Sequence, residues 1–269
     1  MAATKGCIGV VLFFVNGAKV DTTAAEPEPA VDKSSARVRG MFASIAKRYD
    51  LLNHVLSLNI DRSWRRKVAR DLSPPPGEPV LDCCTGTADL AIAFQDELRG
   101  SSAIVGTDFC RPMLAIGLRK VEKSHHGVPI ALFEADTMRL PFPDDMFGVV
   151  TVAFGLRNVA DTARGLDEMI RVARPGRPVA VLEFSKPRHP VLGRVYAGFF
   201  RHVLPRVGQA LAPNDFDAYS YLPTSVQAFP EGEALCDLMQ ARGLEQVRQT
   251  PLTLGVATLY VGMKPSRKP

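Results

Sequence analysis

Between residues 38 and 49 the apolar positions Val38, Met41, Phe42, Ile45, Ala46 and Tyr49 recur at spacings of three and four, which places them on one face of a helix. A second helix is predicted from Asp61. There Trp64 and Val68 are surrounded by Arg62, Arg65, Arg66, Lys67 and Arg70, and the run Pro74-Pro75-Pro76-Gly77 ends the segment. Beyond this breaker the period changes. Short apolar, β-branched runs alternate with amphipathic stretches, the pattern of βαβ units around a parallel sheet. Strands are predicted over Pro79 to Cys83, Ala103 to Asp108, Ile130 to Glu134, Phe147 to Phe154 and Pro178 to Phe184. The helices between them carry Leu90, Ala91, Phe94 and Leu98, then Pro112 as a first residue, then Leu166, Met169, Ile170 and Ala173. A last helix, Glu231 to Arg242, leads into Glu245 to Thr250 and Ala257 to Met263. No helix separates these two strands, which predicts an antiparallel pair at the sheet end.

The first 36 residues break the pattern. A short apolar run, Cys7 to Val15, follows Lys5 and passes into a Thr, Ala, Glu and Pro-rich stretch with neither helical nor strand period, which predicts a disordered leader over 1–36. The alternative is a secretory signal. The apolar run is about half the ~20 residues that a membrane span needs. The chain from 37 to 269 is expected to form one α/β domain, with N-terminal helices over 37–73 and an insertion over 186–230.

Composition narrows the class. With 269 residues, 46% hydrophobic and 23% charged, the chain is an ordinary globular protein rather than a disordered or fibrous one. The five cysteines, Cys7, Cys83, Cys84, Cys110 and Cys236, form no CxxC pair, which points to a reducing, cytoplasmic compartment and to no structural zinc. His54, His125, His126, His189 and His202 show no metal-ligand spacing, so no metal is expected, and only His202 is a candidate base. A net charge of +5 is compatible with nucleic acid, with an anionic membrane surface or with a plain solvated face.

In a doubly wound sheet ligands bind beyond the carboxyl ends of the strands. The first strand runs into Asp82-Cys83-Cys84-Thr85-Gly86-Thr87-Ala88-Asp89, where Gly86 lets backbone approach a ligand and the threonines are expected to satisfy free amides at the next helix start. The second strand ends at Asp108, placed to grip the two hydroxyls of a ribose, and Asp136 follows the third. A loop with one glycine and two acids suits a ligand carrying an ammonium group better than a pyrophosphate, which favours S-adenosylmethionine over a nicotinamide dinucleotide.

The segments VLDCCTGTADLA, EADTMRLPFPDDMFGVVTVAFGLRNV and VLEFSKP resemble the Rossmann-like class I methyltransferases of the UbiE/MenG type, and the likeness covers Val38 to Lys264. RGMFASIAKRYDLLN and HVLPRVGQALAPNDFDAYSYLPTSV, outside the cofactor loop, resemble the same family. The resemblance implies a mostly parallel sheet with antiparallel end strands, an N-terminal helical lid, a helical insertion and an S-adenosylmethionine-dependent enzyme. It implies C-methylation of a polyprenylated quinol, demethylmenaquinol to menaquinol, in menaquinone biosynthesis; the ubiquinone pathway, or both, is the alternative. Residue by residue it implies cofactor contacts at Asp82, Gly86, Thr87, Asp108, Asp136, Thr137 and Ala153, and a cover formed by Tyr49 and Asp50. Many relatives have glycines at Thr85 and Ala88 and a serine at Ala153; an alanine there cannot donate from its side chain, so that contact is made by backbone or is absent.

On the substrate side, Arg157 and Asn158 follow the fourth strand, where a guanidinium would stabilise a quinolate oxygen and an amide would orient the ring. Tyr49 would hold a water or a substrate oxygen. In the insertion, Val191, Leu192, Val195, Tyr196, Phe199, Phe200, Val203 and Leu204 share one helical face, while Arg194, Arg201 and His202 share the other. This is a basic amphipathic helix, suited to peripheral membrane contact or to a lid over a prenyl channel. Homo-oligomerisation stays open. A nucleic-acid methyltransferase is disfavoured, because Ala-Phe-Gly-Leu-Arg-Asn stands where a Pro-Pro-Tyr or Pro-Cys motif would be; a non-catalytic membrane module with the same fold is the remaining alternative.

Overall fold

The strand that follows the proline breaker, β1 (Val80–Cys83), is buried along its whole length, Asp82 included, as the central position of a parallel strand requires. The computed structural model describes residues 32–57, 59–124, 130–187, 194, 198 and 218–266. Before β1 come α1 (Ser35–Ser57) and α2 (Ile60–Asp71). After it come α3 (Asp89–Leu98), β2 (Ile104–Asp108), α4 (Arg111–Lys123), β3 (Ile130–Glu134), β4 (Val149–Ala153), a 3-10 turn (Leu156–Asn158), α5 (Thr162–Val172) and β5 (Pro178–Phe184). The described chain ends with α6 (Ala218–Ala228), α7 (Glu233–Ala241), β6 (Glu245–Leu252) and β7 (Ala257–Met263).

These strands form one sheet in the order β3-β2-β1-β4-β5-β7-β6. Neighbours from β3 to β5 pair in parallel, β7 pairs antiparallel with β5, and β6 antiparallel with β7. The order reverses between β1 and β4, and beyond their carboxyl ends lies the crevice where a ligand belongs. Apolar layers cover both faces of the sheet. On one side Trp64, Val68, Phe94 and Leu98 from α2 and α3 pack on Ile104, Val149 and Leu259. On the other, Leu166, Met169, Leu235 and Met239 from α5 and α7 pack on Leu81, Val150 and Val181.

Several edges differ from the sequence reading. Helix α1 starts at Ser35, inside the stretch expected as leader; residues 1–31 lie outside the described residues. Strand β4 is shorter than Phe147 to Phe154. Phe147 makes an isolated bridge to Ala173, and Phe154, at φ 58, turns the chain away from the strand direction. Strand β6 is longer than expected, running through Pro251 to Leu252, which the sheet tolerates because β6 is an edge strand. Helix α6 lies within the expected insertion and had no periodic signal of its own; Pro223 sits inside it. Arg194 and Gly198 are helical, while the apolar face from Val191 to Leu204 lies outside the described residues, as do the side chains of all five histidines. Among the described residues no helix is long and apolar enough to cross a membrane. Cys83, Cys84, Cys110 and Cys236 are free thiols.

Candidate active site

The loop joining β1 to α3 is shaped by three left-handed residues, Cys84 (φ 50), Gly86 (φ 57) and Ala88 (φ 68). Glycine adopts this region without cost, whereas Cys84 and Ala88 hold it under strain that the surrounding contacts must sustain. The threonines do not cap α3, contrary to the sequence expectation: its N-cap is Ala88, with no side-chain hydrogen bond. Instead Thr85 donates its hydroxyl to Asp82 at 2.6 Å, and Thr151 donates to the same carboxyl at 3.3 Å. Asp82 is 1% exposed. Burial raises its pKa to about 7, against the pull of those hydroxyls and of the nearby Arg65.

Asp108 closes β2. Its two oxygens accept the backbone N–H of Gly86 at 2.9 Å and of Cys110 at 2.8 Å, which fixes the carboxylate plane against the loop. Burial lifts its pKa to about 6, while these amides hold it down. Asp108 lines a cleft of about 620 Å³ together with Tyr49, Gly86, Asp136, Thr137, Ala153 and Asn158. A smaller cavity of about 300 Å³ is lined by Arg65, Asp82, Thr87 and Asp89, and shares Tyr49, Cys84, Gly86 and Ala153 with the cleft. Nine of the ten site residues named from the sequence therefore meet at the switch point.

Arg157 lines neither space. Its guanidinium, expected at the reactive end, is paired with an acid that the sequence reading left out. Arg157 donates to Glu183, near the end of β5, at 2.7 Å and to the Phe154 carbonyl at 2.6 Å, and its own backbone N–H points at Glu183 at 3.3 Å. Both side chains are buried, and the guanidinium lies over the Phe184 ring at 5.5 Å. A glutamate inside the apolar run of β5 was the available signal, since a buried carboxylate needs a cation.

A second group missed from sequence is the latch that holds α1 on the loop. Lys120 of α4 bonds Asp50 at 2.7 Å and Thr87 at 3.2 Å, and pairs with Asp89; Thr87 in turn donates to Asp50. Asp50, expected to cover the cofactor, and Thr87, expected to contact it, thus join the N-terminal helix to the loop through one ammonium group. The pairs are about a quarter exposed, so each contributes modestly. Lys120→Met is expected to speed amide exchange along α1 roughly 5- to 10-fold, corresponding to about 1 kcal/mol, with the sheet unaffected; hydrogen-exchange mass spectrometry checks it.

Comparison with known proteins agrees with this geometry. Residues 30–264 match the sequence model of the ubiE/COQ5 methyltransferase family. A demethylmenaquinone methyltransferase of Deinococcus radiodurans is 46% identical over 244 residues, covering 89% of this chain and 99% of that protein. One from Thermus thermophilus is 46% identical over 225 residues, covering 84% and 100%. The ubiquinone/menaquinone biosynthesis C-methyltransferase UbiE of Geobacter sp. (strain M21) is 43% identical over 235 residues, covering 87% and 99%. Among solved structures, a putative S-adenosylmethionine-dependent methyltransferase from Methanococcus maripaludis matches at TM-score 0.59 and 12% identity, covering 85% of this chain and 95% of that one, a likeness of fold. With the family's sequence pattern spanning nearly the whole described chain and the class I sheet order beneath it, this S-adenosylmethionine-dependent methyltransferase belongs to the ubiE/COQ5 family.

Proposed function

We propose that the chain transfers a methyl group from S-adenosylmethionine to a ring carbon of a polyprenylated naphthoquinol, converting demethylmenaquinol to menaquinol. The observation that carries this reading is the switch-point cleft ending on Asp108, in a chain 46% identical to proteins named demethylmenaquinone methyltransferase along their whole length.

The donors and acceptors present suit the cofactor. Asp108, held by two amides, keeps lone pairs for two ribose hydroxyls, and Gly86 carries no side chain on the loop below it. In the smaller cavity Arg65 would face the cofactor's carboxylate. Asp82 and Asp89 would face its ammonium group; one oxygen of Asp89 is buried without a hydrogen-bond partner, as a waiting acceptor is. Thr137 and Asp136 would border the adenine, and Ala153 the sulfonium. When bound, S-adenosylmethionine supplies the electrophilic methyl group. Replacing a ring hydrogen by methyl releases one proton, so the acceptor side needs groups that hold the quinol oxygens and take that proton. Asn158 lines the cleft, and Tyr49 stands where both cavities meet, placed to orient the ring and exclude water. Arg157, tied to Glu183, fixes the turn that carries Asn158. We infer contact with the cytoplasmic face of the membrane, because a prenylated quinol resides in the bilayer.

The test is the mass of the product after the protein is given S-adenosylmethionine with reduced demethylmenaquinone or with the demethylated ubiquinone precursor. Methyl gain on the naphthoquinol alone supports the reading. Gain on both would make it a dual-pathway enzyme, and gain on neither would overturn it.

The raised carboxyl pKa values predict opposite pH effects on binding and on stability. Cofactor binding requires Asp108 ionised, so affinity is expected to fall as pH drops through about 6, approaching tenfold per unit below it, and calorimetric titration from pH 8 to 5 checks this. The apoprotein behaves inversely. Asp108 and Asp82 bind protons more tightly folded than unfolded, so their contribution to stability is full below pH 4 and is lost as pH rises through about 6 to 7.

A further inference from the structure

Three buried polar atoms around the turn after β4 have no hydrogen-bond partner among the described residues: Nε of Arg157, Oδ1 of Asn158 and the hydroxyl of Tyr221. Native interiors satisfy nearly all such groups, so three gathered at one turn mark a place where a polar ligand completes them. Arg157 and Asn158 lie on the 3-10 turn itself. Tyr221 comes from α6, far along the chain, and α6 packs on both α1 and that turn. The ring of Tyr221 is gripped by Val38, Met41 and Ile45 of α1 and is 8% exposed.

The charges around the hydroxyl are those of the same wall. Burial raises the pKa of Tyr221 and keeps the phenol neutral well above physiological pH, against the pull of Arg157 and then Arg37, while Asp32 and, least, Glu183 add to the rise. Lys33, just ahead of α1, is partly desolvated and feels Glu183 and Arg157 as well. A neutral phenol both donates and accepts, the free Nε of Arg157 donates, and the free carbonyl of Asn158 accepts. That combination matches the hydroxyl of a hydroquinone, which must donate once and accept at least once when it leaves water.

We propose that Tyr221 is a substrate-contacting residue, its hydroxyl bonded to a ring oxygen of the quinol beside Asn158 and the Arg157–Glu183 pair. Brought by α6 against the turn that carries Asn158, it would help select which ring carbon meets the methyl group. This rests on the quinol reading above and adds a residue from the insertion to it.

The experiment compares the full-length wild type with Tyr221→Phe in three measurements: thermal unfolding, S-adenosylmethionine titration, and steady-state methylation of reduced short-chain demethylmenaquinone. A hydroxyl with no protein partner is not needed for folding, so the variant is expected to melt at or above the wild-type temperature. It should bind the cofactor within twofold and lose at least tenfold in kcat/KM for the quinol. Turnover within twofold of wild type would overturn the proposal. So would a melting temperature lower by several degrees, which would make the hydroxyl structural, or an equal loss in cofactor affinity, which would place it on the other side of the site. A wild type that methylates neither the naphthoquinol nor the benzoquinol would overturn the substrate reading and this proposal with it. That case is read from the wild type alone, so the two failures stay distinct.

Discussion

Asp108→Ala is expected to weaken S-adenosylmethionine binding by 10²- to 10³-fold, the largest effect on affinity of any single change at the site. The carboxylate sits at the end of β2 with each oxygen anchored by one backbone amide, so it meets two ribose hydroxyls in a geometry already fixed. Hydrogen bonds to a charged group contribute about 1.5–3 kcal/mol each, and two of them in the lower part of that range amount to roughly 3–4 kcal/mol. The same substitution frees the amides of Gly86 and Cys110, loosening the loop that carries the rest of the site. Asp108→Asn separates the two effects. It keeps an acceptor for one amide but removes the charge, so it should bind between wild type and alanine and should lose the pH dependence near 6. Calorimetry on the three proteins at pH 7.5 and 5.5 checks this; affinity retained in the alanine variant would remove Asp108 from the ribose.

The central parallel strands β1, β2, β4 and β5 were readable because they are buried and show as largely apolar runs, and the antiparallel pair because only a 3-10 turn, Thr253–Gly255, separates β6 from β7. Strand-end acids were readable because topology alone sends them to the crevice. What sequence did not disclose were contacts made across long separations. Glu183 meets Arg157 from a neighbouring strand, Lys120 reaches Asp50 from another helix, and Tyr221 arrives in α6, whose apolar pattern is interrupted by Pro223. The threonines of the loop were assigned to helix capping on local grounds, the usual preference for such residues at helix starts, but Asp82, three residues back, took the hydroxyl of Thr85 and the distant Asp50 that of Thr87. Arg157 was placed at its strand end, but its pairing with Glu183 was not legible, because sequence locates a Cα and leaves open which buried acid meets the guanidinium.

That pair supports the second large effect. Arg157 and Glu183 are both almost wholly removed from water, and breaking a buried ion pair by deleting one partner strands the other charge, at a cost of about 3–5 kcal/mol. For a domain of this size that corresponds to a melting temperature lower by roughly 10 °C. Glu183→Leu alone and Arg157→Met alone should each show it. The double variant Arg157→Met with Glu183→Leu replaces both charges by apolar groups beside Phe154 and Phe184, whose centroids already stand 4.5 Å apart, and should recover most of the lost stability. Activity is expected to part from stability at that point. If the pair exists to hold a polar, hydrogen-bonding wall against the quinol, the double variant folds like wild type, binds S-adenosylmethionine normally and methylates the naphthoquinol at least 100-fold more slowly. If folding and turnover return together, the pair is a structural strut, and the acceptor wall must be rebuilt around Asn158, Tyr49 and Tyr221 without it.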